Sequence, residues 1–259
     1  MAWAVFRSVA VCSVLALLSH GAWAQAILLP SGLNGPQART RDELDAFGLI
    51  LEARNNREVA SAAESYVEDH PDSEFVEHAA LAAMHSYYDL GNLDRSRALA
   101  QVALKANPHS PDALLHSARL LIAPAAENSS NLAEARRLVE AGLTQLKSIK
   151  LPSSADSRSW LRTRNSFMAV GKSVLGWLSF REEKLDHAIN CLQQAVALDP
   201  QGEYFYRLSL ITAASTAANR NTSDSRKWAL RAVEAGPDWI AALARQQLER
   251  TKTNLHGAR

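Results

Sequence analysis

Helix-breaking prolines recur at a fixed distance along this chain, and their spacing constrains its fold more than any other feature. Pro71 and Pro108 are 37 residues apart, and Pro200 and Pro237 are again 37 apart. Between such breaks the sequence runs in amphipathic stretches rich in Ala and Leu. Proline ends helices, and a period of this length is typical of repeated two-helix units, so the chain is predicted to form a stack of helix pairs.

The segment Gly171–Pro200, GKSVLGWLSFREEKLDHAINCLQQAVALDP, shows the unit most clearly. Gly176 lies in its first predicted helix, and Ala188 follows twelve residues later in the second. Because both residues have almost no side chain, the two helices are expected to approach closely where they cross. Ala195 is expected to do the same against the next unit, and Pro200 ends the second helix.

The positions of these small residues and of Pro200 resemble the tetratricopeptide repeat, in which Leu-Gly, here Leu175 and Gly176, stands on the first helix. The sequence departs from that family at Lys172, where Trp is usual, and at Ser179, where Tyr is usual. The resemblance implies an all-α protein, a right-handed α-solenoid of about five helix-turn-helix units with a C-terminal capping helix. The low content of helix breakers, 11 Gly and 9 Pro in 259 residues, agrees with this fold class.

Four further segments are predicted to be units of the same kind. They are Asp42–Pro71, Glu77–Pro108, Pro111–Leu146 and Glu203–Pro237, and Asp238–Asn254 is the predicted capping helix. The predicted organisation is therefore N-terminal repeats over residues 41–146, a Pro- and Ser-containing linker over 147–155, and C-terminal repeats with the cap over 156–254.

Residues 1–24 are predicted to be a secretory signal peptide. Arg7 precedes the uncharged apolar run Ser8–Leu18, and the triplet ending at Ala24 has the small-x-small pattern that signal peptidase accepts. Cleavage is expected after Ala24, which makes residues 25–40 a flexible lead-in with several Pro and Gly. Retention of the apolar run as a membrane anchor is the alternative.

Without that signal peptide the chain is electrically neutral. The full sequence has 28 basic and 27 acidic residues, and the signal peptide contains one basic residue and no acid, which leaves 27 of each. A neutral chain lacks the basic excess of nucleic-acid-binding proteins, so no nucleic-acid partner is predicted. No other apolar segment reaches membrane length, so the mature chain is predicted to have no integral membrane span. Cleavage removes Cys12 and leaves Cys191 alone, which excludes a disulfide within the mature chain.

The resemblance also implies where a ligand would bind, because in tetratricopeptide proteins the first helix of each unit lines a concave face. The side chains predicted to line it are His78, His85, Tyr88, Arg119, Trp177, Phe180, Arg181, Tyr204 and Arg207. Aromatic side chains interleaved with Arg suit a peptide or helix, since they offer large contact area and forked hydrogen-bond donors. The alternative interpretation of Trp177 and Phe180 is that they simply pack against a neighbouring helix.

The candidate metal ligands and nucleophiles have simpler interpretations. His78 and His85 are seven residues apart on one helix, about 10 Å, which is too far to hold one ion. His85 and Asp89 are four apart and are interpreted as a hydrated or hydrogen-bonded pair. Cys191 is interpreted as a small packed side chain, since no base for a nucleophile is recognisable.

No enzyme motif, cofactor or metal site is predicted from the sequence. The predicted function is a non-catalytic protein-interaction scaffold, periplasmic or secreted, that binds a peptide or helix in its concave groove and serves envelope assembly or secretion. A structural accessory subunit of a permanent envelope complex is the first alternative, and an enzyme of unknown type is the second.

Overall fold

The computed structural model describes residues 36–123, 128–149, 157–216 and 223–256. These residues form eleven α-helices and no β-strand. The helices are α1 (Arg41–Glu52), α2 (Asn56–Asp69), α3 (Val76–Asp89), α4 (Leu93–Ala106), α5 (Pro111–Leu121), α6 (Ser129–Ser148), α7 (Ser157–Arg181), α8 (Leu185–Leu198), α9 (Gly202–Thr216), α10 (Ser223–Ala235) and α11 (Asp238–His256). The predicted signal peptide and most of the predicted lead-in lie outside the described residues.

Successive helices pack as pairs, and the pairs pack against one another in chain order. The pairs are α1/α2, α3/α4, α5/α6, α7/α8 and α9/α10, and α11 covers α10 and α9. Helix α2 also packs on α3, α4 on α5, α6 on α7 and α8 on α9, which joins each pair to the next. The predicted all-α stack of helix pairs with a terminal capping helix is confirmed.

Polar side chains fix the starts of the helices where the sequence breaks. Thr40, Asn55, Asn92, Ser110 and Asn128 each accept a backbone N–H from the first turn of α1, α2, α4, α5 and α6. These bonds satisfy donors that have no partner within the helix itself.

Two helices extend beyond their predicted bounds near the predicted linker. Helix α6 runs to Ser148, two residues into the linker, and α7 begins at Ser157 rather than near Gly171. The 25-residue helix α7 is longer than the repeat motif because its first half, from Ser157 to Val170, continues the same helix ahead of the motif. Residues 150–155 of the predicted linker, and residue 156 after it, lie outside the described part.

The crossing of α7 and α8 has the close approach that the repeat motif predicts. A β-carbon added at Gly176 would lie 3.1 Å from the backbone oxygen of Ala188 and 3.1 Å from Cγ of Leu192. Ala188 and Ala195 are fully buried, and Cys191 is a free cysteine packed in the same layer. Burial raises the pKa of the Cys191 thiol, which keeps it protonated.

The turn between α7 and α8 contains a non-glycine residue in the left-handed region, and this leads to a prediction. Glu183 has φ 62°, whereas the corresponding turn between α3 and α4 has Gly91 at φ 76°. Glu183 is exposed, and this conformation costs roughly 1–2 kcal/mol for a residue with a β-carbon. We therefore expect Glu183→Gly to raise the free energy of unfolding in urea by about 1 kcal/mol. Glu183→Ala keeps the β-carbon and should change the free energy of unfolding by less than about 0.5 kcal/mol. If both variants raised it equally, the Glu183 carboxylate and not the backbone conformation would be destabilising.

Candidate functional site

Glu203, in the first turn of α9, accepts hydrogen bonds from three different inner helix positions. Arg119 Nε on α5 and the Tyr88 hydroxyl on α3 both donate to its Oε2 at 2.5 Å. Arg207, one turn further along α9, donates to Oε1 at 2.5 Å. We call these four side chains the Glu203 cluster. It joins the second, third and fifth helix pairs through hydrogen bonds between residues as much as 115 positions apart.

The Glu203 cluster is buried, and each of its two guanidinium groups pairs with the one carboxylate. Burial alone would raise the pKa of Glu203, but Arg119 and Arg207, with the Tyr88 hydroxyl, hold it at about 2. Burial alone would lower the pKa of Arg119, yet Glu203 holds it above its ordinary value. Burial and the same carboxylate keep the pKa of Tyr88 well above its usual range. The cluster therefore sets two guanidinium groups against one carboxylate that is ionised at neutral pH.

Aromatic rings surround this cluster and connect it to the capping helix. The guanidinium carbon of Arg119 lies 3.7 Å from the centre of the Tyr88 ring, and that of Arg207 lies 5.2 Å from the Trp177 ring. Trp239 at the start of α11 donates from Nε1 to the backbone oxygen of Tyr88 at 2.9 Å. Its ring meets the Tyr88 ring edge-on at 5.3 Å. The array of helix pairs thus curves far enough for its C-terminal cap to touch its second pair.

This curvature decides where the nine predicted inner-face residues lie. Tyr88, Tyr204, Arg207 and His78 are buried, and Arg119 is nearly so. Three of these residues, Tyr88, Arg119 and Arg207, are brought together around Glu203, which sequence reasoning did not single out. In this structure they contact the protein's own helices and do not line an open groove. The only sequence signal for Glu203 was its place at the start of a helix. Acidic residues are common at that position, so this signal does not distinguish Glu203 from other acids.

Three of the predicted residues stand together at the C-terminal end of α7 and retain contact with solvent. Trp177 and Phe180 are half-buried, with ring centres 5.2 Å apart, and Arg181 beside them is exposed. The inner edges of both rings pack against the core of α8 and α9. Each ring therefore packs on a neighbouring helix, as the alternative interpretation predicted, and keeps part of its area exposed. A role of these rings in binding a ligand stays a prediction. We call Trp177, Phe180 and Arg181 the α7 surface.

The remaining predicted residue, His85, belongs to a second polar cluster between α3 and α5. Its Nε2 lies 3.1 and 3.2 Å from the two carboxylate oxygens of Asp112, and His116 Nε2 lies 3.5 Å from Asp112 Oδ1. The rings of His85 and His116 meet edge-on, 4.4 Å apart. Burial, with His85 and Arg119 nearby, lowers the pKa of His116 well below its usual value and keeps that imidazole neutral. His85 therefore pairs with Asp112 and not with Asp89, whose carboxylate accepts from Asn56.

Stacked two-helix units with a Gly–Ala crossing and a proline after the second helix define a fold of the tetratricopeptide type. No protein-family model and no curated protein sequence matches the chain.

Several solved structures are similar to this chain over most of its length. They include MamA residues 41 to the end from Desulfovibrio magneticus RS-1, with 15% identity over 81% of this chain and 99% of that chain at a TM-score of 0.46. The thermophilic TPR protein TTC0263 of Thermus thermophilus has 15% identity over 80% and 96% of the two chains at 0.45. YrrB, described as a TPR protein with an unusual peptide-binding site, has 14% identity over 72% and 99% at 0.27. At such identities the similarity concerns the fold alone.

None of the helices that the structure describes combines the length and the hydrophobicity that crossing a bilayer requires.

Proposed function

We propose that this protein is an exported, non-catalytic interaction scaffold that holds a peptide or helix of a partner protein. The α7 surface is the observation that carries the proposal. It presents two adjacent aromatic rings and an exposed guanidinium from one rigid helix. Trp, Tyr and Arg are the side chains that contribute most to protein interfaces, and half-buried rings lose little freedom when a partner covers them.

The rest of the inner face supports this surface rather than binding directly. The Glu203 cluster holds the second, third and fifth pairs together, and Arg207 of that cluster lies against the Trp177 ring. A partner on the α7 surface would therefore meet side chains whose positions are fixed before it binds. Such preorganisation reduces the entropy lost on association.

The exposed apolar side chains favour a transient adaptor over a permanent subunit. In the described part, the large exposed hydrophobic residues are Leu44, Leu49, Leu90, Leu161 and Leu230. They lie on α1, at the end of α3, at the start of α7 and on α10, so they are spread over the molecule. A subunit fixed in one complex would expose a large contiguous apolar patch when alone.

Export remains part of the proposal and rests on residues 1–24, whose charged start, apolar run and small-residue triplet predict a cleaved signal peptide. The partner would then be a periplasmic, envelope or secreted protein, and a role in envelope assembly or secretion fits such a location.

The test compares two double variants at matched positions on α7. The chain from Gln25 onward is immobilised, proteins of the native envelope and secreted fractions are captured, and the affinity of each captured protein is measured. Phe180→Ala with Arg181→Ala removes the outer part of the α7 surface, and we expect it to weaken partner binding at least about tenfold. Leu161→Ala with Arg162→Ala removes an exposed apolar residue and an exposed Arg near the other end of the same helix, and should leave binding unchanged.

Far-UV circular dichroism and thermal melting establish that both variants remain folded. Equal affinity of the two variants for every captured partner would exclude the α7 surface as the binding site. Failure to capture any partner with the unmodified chain would count against the scaffold proposal itself.

A further inference from the structure

We propose that His85, Asp112 and His116 form a binding site for a divalent transition-metal ion, with Zn²⁺ as the natural candidate, that clips α3 to α5. The inference goes beyond the scaffold function and does not depend on it. The three residues come from two helices of neighbouring units, and we call them the histidine cluster.

The geometry of the histidine cluster suits a single ion. One ligand atom from each of the three side chains lies within 4.8 Å of the other two. Asp112 Oδ1 is 3.1 Å from His85 Nε2 and 3.5 Å from His116 Nε2. Ligands bound to zinc at about 2.0–2.2 Å are themselves separated by roughly 3–3.5 Å. Both distances to Asp112 already fall in that range, and the two imidazoles, whose ligand atoms lie within 4.8 Å of each other, would have to turn towards the ion.

The donor set and its burial match a transition metal. Two imidazoles and one carboxylate, with further positions left open, form the ligand set of many zinc and iron sites. The exposed side-chain fractions are 1% for Asp112, 10% for His116 and 19% for His85, so the carboxylate is shielded from water while His85 gives an ion access from solvent. The ion-pair partners that the structure shows for Asp112 are these two histidines. A bound cation would give this buried carboxylate a fully charged partner.

Arg119 is the neighbour that opposes a cation here. Its Nη1 lies 3.4 Å from His116 Nδ1, and coordination through Nε2 leaves the ring proton on that Nδ1 atom. The contact is long for a hydrogen bond and weakly held, whereas Arg119 Nε is bound tightly by Glu203. The Glu203 carboxylate, which Arg207 also shares, offsets part of the Arg119 charge and holds its Nε on the side of α9. The remaining positive charge lowers the affinity of the histidine cluster for an ion, whereas the Asp112 carboxylate raises it.

The chain also contains a competing pair of ligands, which the experiment must separate. Cys191 Sγ lies 3.8 and 3.9 Å from the two ring nitrogens of His187 on α8. Two ligands are fewer than a stable zinc site needs, and the thiol pKa is raised by burial. Co²⁺ that is bound by a thiolate shows a charge-transfer absorption band, whereas Co²⁺ that is bound by imidazole and carboxylate groups does not.

The test uses the full chain, purified without a histidine tag and stripped with a chelator, and titrated with Co²⁺ and Zn²⁺ separately. We expect one ion per chain, a visible Co²⁺ absorption without a thiolate band, and a rise in melting temperature with Zn²⁺. His85→Asn, at the exposed edge of the cluster, should weaken Zn²⁺ binding at least about tenfold and abolish the rise. His187→Asn should bind the metal as the unmodified chain does.

Two results would overturn the proposal. One is an unmodified chain whose Co²⁺ spectrum and melting temperature do not respond to metal. The other is binding that survives His85→Asn and is lost in His187→Asn, which would assign the ion to the Cys191 pair. Since the unmodified chain is tested directly, the outcome does not depend on the variants folding, and their circular dichroism is recorded alongside.

Discussion

Glu203→Gln is expected to lower the free energy of unfolding by about 3–5 kcal/mol. The amide retains the shape of the carboxylate but loses its charge, which leaves the buried Arg119 and Arg207 side by side without a counter-ion. Removing one charge from a buried ion cluster destabilises the fold by far more than the intact cluster stabilises it, because the remaining charges stay buried without a partner. Urea titration followed by far-UV circular dichroism measures the change.

The pH dependence of stability gives this prediction a second readout. The pKa of Glu203 is about 2 in the folded chain against an ordinary 4.5, because the two guanidinium groups outweigh burial. A carboxyl whose pKa is lower in the folded state contributes stability above its unfolded pKa and loses that contribution as the pH falls towards its folded value. The difference between the unmodified chain and Glu203→Gln should therefore be largest near neutral pH and shrink between about pH 4.5 and about pH 2.

An exposed ion pair provides the matched control. Glu234 lies 3.7 Å from Arg231 on α10, and both side chains are largely exposed. Glu234→Gln should cost less than about 1 kcal/mol, since solvent screens the pair and hydrates the remaining charge. If both Gln variants changed stability equally, Glu203 would not hold the inner helices together. In that case the contact between the capping helix and the second helix pair would be stabilised by the packing of Trp239 against Tyr88.

The repeat architecture was predictable because its determinants are local. Gly176, Ala188 and Pro200 lie within one unit, so their spacing alone indicates two helices, their crossing point and their end. The structure places Gly176 against the Ala188 backbone, as that spacing predicts. The early start of α7 at Ser157 was missed, since the motif begins only at Gly171 and the polar sequence ahead of it carries no motif of its own.

The arrangement of the inner face was not predictable, because it depends on the curvature of the whole array. Helical periodicity identifies Tyr88, Arg119 and Arg207 as residues on the inner sides of their helices. It cannot indicate that small rotations between pairs accumulate until Tyr88 meets Glu203, 115 positions away. The same holds at shorter range for His85: spacing along one helix indicates Asp89, whereas its partner in the structure, Asp112, lies 27 positions on in the next unit.

Gly202→Ala is expected to lower the free energy of unfolding by at least about 2 kcal/mol, because its neighbour is backbone. A β-carbon at Gly202 would lie 2.1 Å from Cα of Gly236 and 2.3 Å from its backbone nitrogen. No rotamer change can relieve that overlap, so the start of α9 and the turn between α10 and α11 would have to separate. Glu203 is the next residue, and its carboxylate would move away from Arg119 and Tyr88 as a result.

Gly48→Ala separates this packing effect from the general consequence of replacing glycine in a helix. Gly48 lies inside α1, and apart from the backbone of its own helix no atom lies within 4 Å of the added β-carbon. The free energy of unfolding of the variant should therefore rise by about 0.5–1 kcal/mol, because alanine makes the unfolded chain less flexible. Urea titrations of both variants should therefore shift in opposite directions. A gain in stability in both variants would mean that the contact between Gly202 and Gly236 opens without cost. The start of α9 could then move away from the turn between α10 and α11 while the helices stay folded. Glu203 would separate from Arg119 and Tyr88 without unfolding the chain.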